Sequence, residues 1–454
     1  MSLDPRVSDS PPVTGTDELA AWFVGRERPR EQWKVGLEHE KVPLRAGTLD
    51  PVPYGGPGGI GAALAAFARF GYEPFVEDGN VIAAQSTGLT VSIEPGGQIE
   101  LSGRPFADVH VVAAELDNHL DKCRAIAADL GIEMLATGYR PWGTPRTVPW
   151  MPKKRYGVMR PYLAAHGRLA EDMMAMTGST QASFDFSGER DMAEKLRVAL
   201  AAQPAATALF ANSPVVDGRP SGWKCYRVAV WEEVDPARSG LLPFAFETGF
   251  EERAYAAYAG WALDVPMIFL RRDGGYLEPG GLTFRRFLAE GLRGERATMM
   301  DWEDHLSTLF PDVRVKGVVE VRGTDACDAG MTRALLAFWK GILYDRQARD
   351  WAWDAVKRLT VGERHGLMLA AGREGLQGRL PDGRTLAQLA ITLLDAAEGG
   401  LCRQNACGAK GEDERKFLAP LRARAESGRC PADEALEALE RGGPRALAAL
   451  LRCA

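Results

Sequence analysis

The chain predicts an α+β fold: a sheet curved around a polar cavity, helices between its strands, and a helical C-terminal region. Three observations predict this. Acidic and amide residues recur at every second position in several separated β-like stretches. Amphipathic helical stretches lie between those strands. From about residue 331 the composition turns Ala/Leu/Arg-rich and stays helical to the end.

The totals narrow the function. With 454 residues, 46% hydrophobic and 26% charged, the composition is that of a globular protein. A formal charge of −6 offers no global basic field for nucleic acid or an anionic membrane. No apolar run of membrane-spanning length is present, and the N-terminal residues lack an apolar signal core. The seven cysteines are scattered without a CxxC pair, which fits free thiols in a reducing cytosol better than a zinc site or disulfide framework. A cytoplasmic protein, monomer or homodimer, is expected.

In chain order, residues 1–16 are Pro/Ser/Asp-rich and read as a flexible N-terminus, followed by a helix at 17–24 and a strand at 34–44. The glycine-rich stretch 54–61 lacks the Gly-Lys-Ser/Thr ending of a P-loop and reads as a turn before a helix at 62–70. Strands are expected over 81–103. A helix follows at 107–130, with Val109, Val112, Leu116 and Leu120 on one face. A basic, aromatic segment at 151–163 precedes a strand at 178–187. A helix at 191–202 and a separate helical piece at 205–210 are expected around Pro204, then strands at 223–232, 265–271 and 314–322, with a helix at 302–309. The segment 399–412 reads as an exposed loop. The expected organisation is a flexible 1–16, a catalytic core over 17–330, and a helical region over 331–454 packed on the same domain.

The chemistry lies in strand parity. Residues two apart on a strand face the same way. Glu38 and Glu40 therefore form a pair, and Ser92 with Glu94 face away from Val91 and Ile93. Beyond Pro95-Gly96-Gly97, Gln98, Glu100 and Ser102 share a face; so do Ser179, Gln181, Ser183 and Asp185, and so do Glu320 and Arg322. A half-exposed sheet with a solvated polar side would show the same alternation. The concentration of acids, Gln and Arg over four segments, with Lys and Thr scarce, favours a polar cavity. Carboxylates crowded on one face repel unless a cation sits among them, and Mg²⁺ prefers such hard oxygen ligands. His39 and Lys41 point to the opposite, packed side of their strand, and His305 sits in an amphipathic helix; all three read as structural.

At this point the motifs resemble a family. Gly36-Leu-Glu-His-Glu-Lys41, Glu94-Pro-Gly-Gly-Gln-Ile-Glu-Leu-Ser-Gly103, Met151-Pro-Lys-Lys-Arg-Tyr156, Asp301-Trp-Glu-Asp-His-Leu306 and Glu320-Val-Arg-Gly323 occur in the order seen in glutamate–cysteine ligases of the plant and proteobacterial type, within the wider carboxylate–amine ligases. The resemblance runs from about Trp33 to Leu343. It implies a glutamine-synthetase-like fold: a curved, mainly antiparallel sheet forming a funnel, with helices packed outside. It also implies ATP as co-substrate, two or more Mg²⁺, and ligation of the γ-carboxylate of glutamate to the amine of cysteine through a γ-glutamyl phosphate, the first step of glutathione synthesis. On this reading Glu38, Glu40, Glu94, Glu100 and Glu320 hold metal. Gln181 completes that shell or orients a water, and Arg322 stabilises the transferring phosphate. Arg155, Tyr156 and Arg160 line the amino-acid site, and Arg227, Trp231 and Arg238 stand near substrate or nucleotide. For Arg227 and Arg238 an ordinary surface ion pair stays open beside a direct contact. Ser183 replaces the Asn of plant members, which opens the alternative of a γ-glutamyl ligase for another amine. A silent amino-acid- or nucleotide-binding relative is the other alternative. Pro279 and Gly294 stand where plant members carry a redox-active cysteine pair, so no such switch is expected.

Overall fold

The central strand of the molecule, β1 (Val35–Arg45), is also its longest, eleven residues. The computed structural model describes residues 11–272 and 274–454. Eight more strands complete the main sheet: β2 (Glu73–Glu77), β3 (Asn80–Ser86), β4 (Leu89–Ile93), β5 (Ile99–Ser102), β6 (Ile132–Leu135), β7 (Ser179–Phe184), β8 (Val313–Val315) and β9 (Val319–Asp325). Their order is β8-β9-β7-β1-β5-β4-β3-β2, with β6 on the distal half of β1, and every pairing is antiparallel. Register shifts between Phe75 and Val76 and between Val321 and Thr324 bend the strands locally. The architecture is α+β with a mainly antiparallel sheet.

Register brings the polar faces together. Glu38 pairs with Ser102 on one side and Gln181 on the other; Glu40 stands opposite Glu100; Glu320 stands opposite Ser183 and Arg314. The reverse face of β1 is packed: Val35, Leu37, His39 and Lys41 are all buried. His39 Nε2 lies 3.0 Å from the Cys327 carbonyl and His305 Nε2 lies 2.7 Å from the Ala262 carbonyl. Both rings are thus held by the backbone, away from the cavity.

Helix Val109–Leu130 covers that reverse face with Val109, Val112, Leu116 and Leu120 buried. Asp108 caps its start, accepting from Val111 N, and left-handed Gly131 ends it. Helix Ala329–Leu343 begins at Asp328, which accepts from Gly330 N and Met331 N, and packs against helices Leu386–Gln404 and Glu189–Leu209. One apolar cluster includes side chains from both sides of residue 330. At the chain's end Met134 N donates to Ala454 O at 2.8 Å and Cys453 N to Met134 O at 2.9 Å, so the last residues line the β6 strand.

Several boundaries differ from the sequence expectation. Glu189–Leu209 is one helix running through Pro204, where a break was expected. An interior proline costs about 3 kcal/mol, and nearly complete burial from Met192 onward offsets it. The 223–232 segment is not a strand: Tyr226–Trp231 is a short helix. Its aromatic and β-branched residues favour strands, but packing against helix Val361–Glu374 decides otherwise. Within 265–271 only Leu270 and Arg271 enter a strand, Leu270–Arg272, paired with Gly275–Leu277. The 314–322 stretch is two strands folded about Gly317, whose φ of 74° supplies the turn. Helix Leu386–Gln404 takes the first part of the 399–412 stretch, and left-handed Asn405 ends it. Residues 1–10 of the N-terminal segment lie outside the described residues; Val13 is buried and donates to Ala297 O at 2.8 Å.

Candidate active site

Eleven of the thirteen residues singled out in the sequence line one cavity of about 210 Å³ on the polar face of the sheet. The carboxylates Glu38, Glu40, Glu94, Glu100 and Glu320 are all there, with Gln181 and Arg322. Arg155, Tyr156, Arg227 and Trp231 complete the set. Arg160 and Arg238 are not among them. Arg160 donates to Glu171 at 2.6 Å and lies 3.9 Å over the Trp150 ring. Arg238 is fully buried: it pairs with Asp235 at 2.6 Å and donates to the carbonyls of Thr308 and Pro266. It is neither a surface ion pair nor a cavity residue, but a clamp between loops.

The turn Pro95-Gly96-Gly97 places Glu94. Gly97 has a φ of 84°, and a Cβ on Gly96 would sit 2.0 Å from the Ala175 carbonyl oxygen. Gln98 braces this turn, accepting from Gly96 N at 2.9 Å and donating to Thr177 O at 2.8 Å. Glu94 Oε1 is thereby buried with no hydrogen-bond partner.

Electrostatics divide the acids into two groups. Burial first, then the facing Glu100 and Glu94, pushes Glu40 up to about 8. Burial also raises Glu38, Glu94 and Glu100, and neighbouring carboxylates add to it in each case. Ser179 N donates to Glu40 at 2.7 Å, Ser92 to Glu100 at 3.0 Å and Ser102 to Glu38 at 3.3 Å. Glu320 behaves oppositely. Burial acts on it too, but Arg314 and Arg322, each 2.8 Å from its Oε2, outweigh that and hold it well below the usual carboxylate range. Arg322 also donates to Gln181 Oε1 at 2.5 Å, and Gln181 Nε2 donates to Ser179 Oγ at 2.9 Å.

The donor set is all oxygen and crowded, and burial raises Glu38, Glu40, Glu94 and Glu100 together. That composition fits a hard divalent cation. Among the described residues no three Asp, Glu, His or Cys side chains converge into a closed cage. The acids line a chamber, the arrangement suited to an ion that keeps water or shares ligands with a bound anion. Glu320 is already neutralised by two arginines.

Three cations in the chamber, Arg155, Arg227 and Lys316, have no carboxylate within ion-pair distance among the described residues. Arg155 makes a 3.4 Å contact to Met159 Sδ and lies 5.7 Å from the Phe269 ring. Arg227 donates to the Arg322 carbonyl at 2.8 Å. The Tyr156 hydroxyl is taken by Ile93 O at 2.6 Å, so that residue contributes its ring. Sequence reasoning missed Arg314 and Lys316, which also line the cavity. Their signal was present: Val313-Arg314-Val315-Lys316 alternates as strictly as the acidic strands do.

A second cavity, about 530 Å³, meets the first at Glu38 and Val318. Arg28, Lys34, Gly36, Gly103 and Ser183 are in its wall. Ser183 thus faces this neighbouring chamber, not the one that holds Arg155 and Arg227.

A family model described as glutamate-cysteine ligase family 2 matches residues 34–449. A chloroplastic glutamate–cysteine ligase B of Oryza sativa subsp. japonica is 39% identical over 432 residues, 94% of this chain and 84% of that protein. The chloroplastic enzyme of Nicotiana tabacum is 39% identical over 431 residues, covering 94% and 80%. A crystal structure of glutamate–cysteine ligase from Francisella tularensis, in complex with AMP, shares the fold at a TM-score of 0.57 and 15% identity, over 92% of this chain and 87% of that one. The match over nearly the whole chain places this protein in glutamate-cysteine ligase family 2.

Proposed function

We infer that this protein joins the γ-carboxylate of glutamate to the amine of cysteine at the expense of ATP. The observation that carries the reading is the single chamber in which five carboxylates converge with Arg155 and Arg227, arginines that have no carboxylate within ion-pair distance among the described residues. A free carboxylate is a poor acyl donor, because its leaving group would be oxide. Phosphorylation at the γ-oxygen makes phosphate the leaving group, and the amine then displaces it. Neither step calls for an activated Ser or Cys; both call for alignment and charge neutralisation.

Arg155 and Arg227 are the groups suited to gripping the α-carboxylate of an amino acid, since each guanidinium can still accept an anion. Arg322 is held by Glu320 and Gln181 in a fixed direction, so it meets a developing phosphate charge without first reorganising. Glu38, Glu40, Glu94 and Glu100, with the remaining oxygen of Glu320, would hold Mg²⁺. Bound there, it would neutralise phosphate oxygens. The adjoining cavity, with Arg28 and Lys34, suits the nucleotide, and Glu38 stands at the junction. No helix among the described residues is long and apolar enough to cross a membrane. All seven cysteines are free, which supports a reducing compartment, the cytoplasm in our reading.

A γ-glutamyl ligase for another amine rested on Ser183, which lines the neighbouring cavity. The deciding assay is phosphate release with ATP, glutamate and Mg²⁺ against a panel of amines. Cysteine should stimulate most; no stimulation by cysteine overturns the reading.

A further inference from the structure

The turn between β8 and β9 carries a lysine to which the reaction as described gives no task. Lys316 and Val318 flank Gly317, and Lys316 N donates to Val318 O at 3.0 Å. Val318 lines both the catalytic chamber and the neighbouring cavity that suits the nucleotide, and Lys316 lines the chamber. The hairpin therefore sets Lys316 one backbone hydrogen bond away from the juncture of the two compartments. Strand parity helps to aim it: Arg314 and Lys316 are two apart, and both reach the chamber wall.

The other cations of that wall already have work. Arg314 lies 2.8 Å from Glu320 and donates to the carbonyls of Ser307 and Leu309. Arg322 is held by Glu320 and Gln181. Arg155 and Arg227 are the pair suited to the α-carboxylate of the amino acid. Lys316 differs from all four. Its ammonium makes no hydrogen bond or ion pair among the described residues, yet it is not sealed from solvent as Glu94 Oε1 is. Burial weighs against its charge, and the charged groups that act on it are Arg314, Glu320, Arg155 and Glu38. Glu38 stands at the juncture and Arg155 in the amino-acid half of the chamber, so the ammonium has the reacting groups of both substrates within its field. A part-buried cation without an anion is costly, and one left open to a cavity is suited to an anion that arrives with substrate.

We propose that Lys316 is a catalytic residue of phosphoryl transfer, its ammonium donating to the γ-phosphoryl oxygens of ATP where the two cavities meet. This rests on the function proposed above. In that step a γ-carboxylate oxygen of glutamate forms a bond to the γ-phosphorus. The bond from that phosphorus to the bridging oxygen breaks, and its electron pair leaves with ADP. Lys316 keeps its protons throughout and supplies positive charge to the three oxygens that travel with the phosphorus. An ammonium suits this place better than a guanidinium. It is a compact charge with three donors on a flexible stem, so it can follow a group that moves from one oxygen to another. Arg322, locked by two partners, marks one direction only.

The test is calorimetric titration of the full chain, with Mg²⁺ present, against ADP and against AMP-PNP, the ATP analogue whose β–γ bridge is nitrogen. K316M should weaken AMP-PNP at least tenfold and ADP less than twofold, and K316R should restore part of the AMP-PNP affinity. In phosphate release with cysteine, K316M should lower kcat by about 10²-fold or more and leave the KM for glutamate within threefold. Retained ADP binding reports that K316M folds; if it is lost, K316Q decides on the same ratio. A ratio of AMP-PNP to ADP affinity that the substitution leaves unaltered overturns the proposal. So does a loss confined to glutamate affinity, which would put Lys316 on the amino acid. Phosphate release by the native protein that does not respond to cysteine overturns the choice of acceptor alone, since the titration needs no amine.

Discussion

At the residue scale, strand parity made most of the site legible. Glu38 and Glu40, Glu94, Glu100, Gln181, Glu320 and Arg322 all face one cavity, as alternation alone predicts. Arg160 was misplaced for a helical reason. Five residues at 100° each put Arg160 about 140° round the Lys154–His166 helix from Arg155, so one meets the chamber while the other meets Trp150 and Glu171. Arg227 and Trp231 were read onto the wrong element yet the right side, because a spacing of four keeps two residues together on a helix as it does on a strand. Replacing Glu40 by Gln should lower Mg²⁺-dependent ATP turnover by about 10²-fold or more, with the apparent Mg²⁺ requirement raised. Unchanged turnover in a phosphate-release assay would remove Glu40 from the metal set. Arg155→Met should raise the KM for glutamate at least tenfold and leave nucleotide binding near its original strength, as read by titration with an ATP analogue.

At the scale of the element, turns and helices carry constraints that no period reveals. The Pro95-Gly96-Gly97 turn is one, since the Ala175 carbonyl leaves no room for a side chain at Gly96. Gly96→Ala should destabilise the fold by about 2–4 kcal/mol and shift Glu94, read as a lower urea midpoint together with lost activity. Helix Glu189–Leu209 holds another. Its Lys195 is fully buried, donating to Asp185 O at 2.7 Å and Asp191 at 2.8 Å. Burial outweighs those partners and lowers it from 10.5 to about 7. The unfolded chain therefore binds more protons between those two values, and stability rises with pH across that window, by up to about 1.4 kcal/mol per unit for one proton. Lys195→Met should flatten that slope. Equal slopes for both proteins between pH 7.5 and 9.5, measured by urea unfolding, would assign the rise elsewhere. The two helical pieces expected at 191–202 and 205–210 are one helix because burial on both sides of Pro204 offsets its local penalty, and a single sequence does not display that burial.

For the whole molecule, the composition change near 330 marks where the sheet's strands end, but not how the two regions are joined. The apolar cluster crosses that point, and the final residues return to β6. Leu447, Ala448 and Leu451 pack with Val42, Leu44 and Leu135 in a second small core. Removing residues 447–454 should cost about 3–6 kcal/mol for the two leucines alone and expose the β6 strand to other chains. Thermal unfolding with light scattering would show a lower midpoint and aggregation; an unaltered midpoint would make the tail dispensable. The juncture of the two chambers at Glu38 and Val318 has a kinetic corollary. Partners that arrive through different compartments do not queue behind one another, so either can dock first and either can depart alone. Initial-rate patterns should then be those of a random sequence of addition, with lines that intersect and never run parallel.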